Sequence, residues 1–147
     1  MDARSIENWE VAARESIRNT IASYTHNGDR YRLDDFVDCF LPDGVLDLKG
    51  GQRLEGREAI MGFFTATPIV TSAEPSPIRH NVTNILFTEV TPEFVKVSSY
   101  FTVFSRVGLD HYGRYRDEMV PDGDRWRIRH RLAATDWMAP HSVVAGG

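Results

Sequence analysis

Apolar residues recur every three or four positions from Ile6 to about Asn27, where Trp9, Ala13, Ile17, Ile21 and Tyr24 form one stripe. That spacing predicts a first helix with one buried face, Asp2 or Ser5 as its N-cap and Gly28 as its stop. A second, shorter helix carries Leu33, Phe36, Val37 and Phe40 on one side and ends at "LPDG". "VLDL" and "QRLE" flank Gly50-Gly51 and predict a hairpin. "GREAIMGFF" predicts a third helix that buries Ile60, Phe63 and Phe64. "TPIVTSAEPSPI" follows, with three prolines in twelve residues, and reads as a loop.

Beyond that loop the period changes from 3.6 to 2. Three long strands are predicted, at about 80–89, 94–106 and 112–120. A fourth, "RWRIRHRLAA", alternates, with Trp126, Ile128, His130 and Leu132 on one face and Arg127, Arg129 and Arg131 on the other. "PDGD" supplies the turn between the last two. Helices followed by a run of antiparallel strands predict an α+β fold, with about three N-terminal helices covering the concave face of a strongly curved, mainly antiparallel sheet. Such a sheet encloses a cone whose mouth is a natural small-molecule pocket.

Composition narrows the partners. The 147 residues read as a single domain, 1–147, with 41% hydrophobic and 26% charged positions, ordinary for a globular chain. The net charge of −4 lacks the positive excess that phosphate backbones and acidic membrane surfaces select, so neither nucleic acid nor membrane is expected as a partner. Cys39 is the only cysteine, which excludes an internal disulfide, fits a reducing compartment and leaves packing as its role. The charged start "MDARSIENWE" does not read as a signal peptide, and no 18 apolar residues run together. A cytoplasmic location is the expectation.

Four pieces in order carry a resemblance: "YTHNGDRYRLDDFVDCFLPDGVLDL", "LEGREAIMGFF", "IRHNVTNI" and "GRYRDEMVPDGDRWRI". Together they resemble the nuclear transport factor 2-like superfamily in its polyketide cyclase, SnoaL-like branch. The resemblance implies a cone-shaped barrel of mixed sheet and a homo-oligomer, dimer or trimer, formed through the outer sheet face. It implies lyase or isomerase chemistry on a hydrophobic, cyclic, oxygenated small molecule. The superfamily also includes epoxide hydrolases and non-catalytic assembly subunits, so both stand as alternatives. Matched to the dehydratases of the branch, Tyr24, Asp29 and His80 take the positions of catalytic residues. Leu48, Ser105 and Arg114 stand at substrate-contacting positions where those enzymes carry other residues.

The chemistry of these residues fits such a site. A histidine's ordinary pKa of about 6.5 lets His80 give or take a proton near neutral pH. A carboxylate accepting from one ring nitrogen, for which Asp29 is placed, would hold the tautomer and leave the other nitrogen for substrate. The plainer reading is a histidine at a strand end and an aspartate in a turn. Tyr24 ends the apolar stripe, and its ring serves packing or its hydroxyl serves a substrate oxygen. In "HYGRYRDEM", Tyr112, Arg114 and Arg116 share one face and Tyr115 and Asp117 the other. An inward Arg114 or Tyr115 would polarise a carbonyl, whereas an outward one belongs to solvent or a subunit contact. An inward Asp117 would favour the epoxide hydrolase. His130 reads as a hydrogen-bonded core histidine, His111 as an exposed turn residue and His26 as solvated. No histidine pair at i, i+4, CxxC, calcium loop, GxSxG elbow or phosphate-binding glycine loop occurs, so no metal or cofactor is expected.

Overall fold

The computed structural model describes residues 5–66 and 78–144, so most of the proline-rich segment lies outside the described residues. Helix α1 (Asn8–Asp29) buries Ala13, Ile17, Thr20, Ile21 and Tyr24, as the stripe predicts. Its first turn differs. Glu10 is buried, while Trp9 is exposed and donates its indole N–H to the Glu7 carboxylate. Glu7 occupies the N-cap position without a side-chain cap, in place of Ser5.

The helix also runs through Gly28 instead of stopping there. A Cβ on Gly28 would stand 3.3 Å from the Phe36 ring, so glycine serves close packing at this position. The chain reverses at Tyr31 instead, a non-glycine residue with φ 57°. As a result Asp29 becomes the last residue of α1 and is buried at its end.

Helix α2 (Leu33–Val37) leads directly into β1 (Phe40–Leu48). "LPDG" therefore does not end a helix; it forms an irregularity inside β1, between the Phe40–Ile128 and Val45–His130 pairs. Gly44 is needed there because a Cβ would meet the Ile128 carbonyl oxygen at 2.8 Å. Strand β2 (Arg53–Glu55) pairs back on β1 in the predicted hairpin, and α3 (Arg57–Ala66) follows, with Ile60 fully buried.

Strands β3 (Ile78–Val90), β4 (Val95–Ser105), β5 (Gly108–Asp122) and β6 (Arg125–Met138) then form an antiparallel meander. β1 joins it parallel to β6, giving a mixed six-stranded sheet in the order β2-β1-β6-β5-β4-β3. The sheet curls without closing, and the three helices of the described residues pack against it in an α+β fold. Two hydroxyls tie α1 to the start of β6: Thr20 donates to the Trp126 carbonyl at 2.5 Å and Ser16 accepts from the Trp126 amide at 2.9 Å. Among the described residues no helix is long and apolar enough to cross a membrane.

β6 departs from the predicted alternation. Glu118 pairs with His130 and Met119 with Ile128, so Arg129 bulges out of the ladder. The inward set shifts by one residue there, and Ile128 and Arg131, three positions apart, are both fully buried. Arg131 therefore faces the core instead of sharing an outer face with Arg127 and Arg129.

Candidate functional site

Between the helices and the curled sheet lies a hollow of about 210 Å³. An apolar cavity of about 150 Å³ already admits a benzene ring, so this one admits a substituted single ring. Its walls are mostly apolar and aromatic, with Phe36 and Phe64 from the helices and Phe101 from β4; Leu48 closes the β1 side. Tyr24, Tyr31, Tyr115, His80 and His111 bring polar groups to the lining.

Asp29 and His80, 51 residues apart, meet at this hollow. Asp29 Oδ1 lies 2.6 Å from His80 Nδ1, and Oδ2 accepts the His80 backbone N–H at 2.9 Å. Both carboxylate oxygens thus act on one residue, fixing its strand position and its ring together. With the Nδ1 proton donated to Asp29, Nε2 is the ring atom left without a protein partner among the described residues. The Asp29 side chain is 6% exposed and that of His80 25%, so the carboxylate is covered while the imidazole is reachable.

Tyr24 packs against Phe36, with centroids 4.5 Å apart, and its ring edge meets Tyr115 at 5.9 Å. Burial raises the Tyr24 pKa, only partly offset by Arg131, and pushes Tyr115 well above the phenol range. Both remain neutral O–H donors under any ordinary condition. Beneath them lies an ion pair that the sequence reading missed: Arg131 Nε and Nη2 donate to the two Asp117 oxygens at 2.7 Å each, and both side chains are wholly covered. The guanidinium stacks 4.2 Å from the Tyr24 ring centroid and 3.8 Å from that of Tyr115. Burial works against the Arg131 charge, but Asp117 outweighs it and holds the group protonated. Asp117 does face inward, as an epoxide hydrolase would require. Both its oxygens accept from Arg131 and its side chain has no exposure, so it is not placed to activate a water.

Two expected contacts lie off the hollow. Arg114 faces the outer side of the sheet and pairs with Asp136, because strand alternation sends it opposite Tyr115. Ser105 ends β4 and donates to Asp110 Oδ2 at 2.8 Å. His130 is not a core histidine; it is half-buried, 3.3 Å from Asp47 and 3.4 Å from Arg53. Cys39 is buried and its thiol is pushed up by burial, consistent with packing.

His111 is the largest correction. It is buried on β5 and lines the hollow; it is not an exposed turn residue. Val103 pairs with His111 and Phe104 with Leu109, so Asp110 is an extra residue in the ladder. That bulge lets neighbouring residues both turn inward, and Asp110 Oδ1 lies 2.6 Å from His111 Nδ1. Asp110 also accepts from Ser105, from the Ser142 hydroxyl and from the Val143 amide at 2.9 Å. Burial alone would raise its carboxyl; these four donors outweigh that and hold it well below the carboxylate range. A hint was present in "GLDHY", where an adjacent acid and histidine follow a glycine at the start of a strand.

A family model described as the SnoaL-like domain matches residues 9–132. The chain belongs to the SnoaL-like domain family. Members of this fold include dehydratases and isomerases. Among solved structures, this SnoaL-like chain is similar to a candidate scytalone dehydratase from Novosphingobium aromaticivorans, with 16% identity over 92% of each chain and a TM-score of 0.78. It is also similar to LinA, with 16% identity over 90% of this chain and 91% of that one and a TM-score of 0.77. A third is a protein of unknown function with a cystatin-like fold from Nostoc punctiforme, with 20% identity, coverage of 88% and 92%, and a TM-score of 0.73. At these identities the likeness is one of fold. No curated protein matches the chain.

Proposed function

We propose that this SnoaL-like protein is a cofactor-independent proton-transfer enzyme, a lyase or isomerase acting on a small, largely apolar, oxygenated cyclic molecule. One observation carries the reading: both oxygens of a covered carboxylate accept from one reachable imidazole-bearing residue at the wall of an apolar hollow. His80 Nε2 removes a proton from a carbon next to a carbonyl, or returns one to a departing oxygen. Asp29 holds the tautomer and stabilises the imidazolium. The phenols of Tyr24 and Tyr115, kept neutral by burial and backed by the Arg131 charge, donate to the developing oxyanion. A purely structural subunit of this fold has no use for a reachable, oriented imidazole on a cavity of about 210 Å³.

The test needs only a probe that reports proton abstraction. In 5-nitrobenzisoxazole a base takes the ring C–H, the N–O bond breaks, and a coloured cyanophenolate leaves. The wild-type protein should accelerate this over free imidazole at equal concentration, and His80→Ala should lower the rate about 10² to 10⁴-fold. A rate equal to that of free imidazole, or one unchanged in the variant, would overturn the proposal.

A further inference from the structure

The structure holds a second carboxylate–imidazole pair on the same hollow, and we infer that His111, oriented by Asp110, is a second catalytic acid–base that works together with His80. This rests on the proton-transfer reading above and goes further by naming the kind of substrate the site takes.

Three observations converge on it. His80 pairs with Val103 and Val103 with His111, so the two histidines lie in one cross-strand row on the same sheet face. Their rings are 6.4 Å apart, edge to face, and both line the hollow. In each the Nδ1 atom is 2.6 Å from a covered aspartate, which leaves Nε2 as the atom without a protein partner among the described residues.

Asp110 does not need the histidine for its own satisfaction. Ser105, Ser142 and the Val143 amide already donate to both of its oxygens and anchor the segment after β6. A buried imidazole added to a satisfied carboxylate, with its other edge on a cavity, is arranged to act on what fills the cavity. The other titratable groups lining this wall are Tyr24, Tyr31 and Tyr115, with Asp29 and Asp110 behind the two imidazoles and the Asp117–Arg131 pair behind the tyrosines.

Two imidazoles at this spacing suit a substrate that loses a proton and gains one at neighbouring atoms. The class is a molecule with an acidic C–H and a poorly leaving oxygen on adjacent carbons, as in a cyclic β-hydroxy ketone. His80 Nε2 takes the C–H proton, and the C–H electron pair becomes the new C=C bond. The C–O bond breaks, and the oxygen leaves as water with the proton of the His111 imidazolium. The cycle ends with His80 protonated and His111 neutral, and proton exchange with solvent restores both.

The experiment compares two probes. The cyanophenolate of 5-nitrobenzisoxazole leaves without a proton, whereas the hydroxyl of 3-hydroxycyclohexanone does not. His111→Asn, which keeps a side-chain N–H for Asp110, should lower dehydration of the hydroxy ketone about 10²-fold more than it lowers benzisoxazole elimination. His80→Asn should lower both alike. Equal losses on the two probes in His111→Asn, or a hydroxy ketone left untouched by a wild-type protein that eliminates the benzisoxazole, would overturn the second acid–base and spare His80. Failure of both probes in the wild type removes the proton-transfer reading itself.

Discussion

Asp117 and Asp29 are both covered carboxylates behind the lining of the same hollow, and they differ in what they hold. Asp117 faces an arginine, which stays charged and donates two bonds at 2.7 Å from a side chain with no exposure. Asp29 faces a histidine, whose ring is 25% exposed and, unlike a guanidinium, belongs to a residue type that can release a proton. A guanidinium does not give up its proton, so the first pair is a fixed charge that sets the field beneath Tyr24 and Tyr115. The second pair has a proton to move and an opening through which to move it. Burial alone does not separate the two carboxylates; the exposure of the partner does, and it is this difference on which the proposed role of Asp29 rests.

The largest effect should come from breaking the fixed pair. Asp117→Ala leaves the Arg131 charge buried without its partner and should lower stability by about 3–5 kcal/mol, read from the denaturant midpoint. Replacing both members together, with Asp117→Leu and Arg131→Met, should recover most of that loss, since neither change then strands a charge. A single variant within about 1 kcal/mol of wild type would show that water reaches the guanidinium and that the pair is not sealed.

The movable pair should respond in the opposite sense. Asn at position 29 keeps one acceptor oxygen but no charge, so Asp29→Asn should cost only about 1 kcal/mol in stability. Its benzisoxazole elimination should fall about 10²-fold, because the imidazolium formed in the reaction loses its counter-charge. A large stability loss with activity kept would make Asp29 a helix-end fastener and reduce the contrast with Asp117 to one of degree.

Which of these features the sequence revealed follows from how far each depends on local order. Periodicity alone located α1, α3 and the four long strands, because each alternates more and less covered positions over its length. The family-matched positions Tyr24, Asp29 and His80 do come together at the hollow, and Leu48 and Tyr115 line it. The failures occur where the ladder skips a residue. The Arg129 bulge turned Arg131 inward, and the Asp110 bulge turned both Asp110 and His111 inward. A period of two carries no mark of such a skip, since it is set by hydrogen bonds to the neighbouring strand and not by the skipped residue. The turn after α1 was misplaced for a related reason, because Gly28 makes room for the Phe36 ring while Tyr31 carries the positive φ.

Asp110 lies between the two extremes of the comparison, and a change of stability with pH separates its roles. Its side chain is as covered as that of Asp117, yet one of its donors is a histidine, as for Asp29. Asn at this position keeps one acceptor, so the Ser142 and His111 bonds or the Ser105 and Val143 bonds lose their oxygen, costing about 2 kcal/mol at pH 7. The native carboxyl titrates well below the usual carboxylate range, since its four donors outweigh the burial that opposes ionisation. Its stabilising contribution is therefore complete above the unfolded-state value of about 3.9 and disappears as pH falls through that value toward the lower native one. The stability gap between wild type and Asp110→Asn should stay level from pH 7 to about pH 5 and narrow from there to about pH 3, as denaturant midpoints at each pH would show. A gap that widens on acidification would reverse the sign of this linkage. It would mean that the native pocket holds Asp110 as a neutral acid, so that His111 faces a proton donor and not a carboxylate.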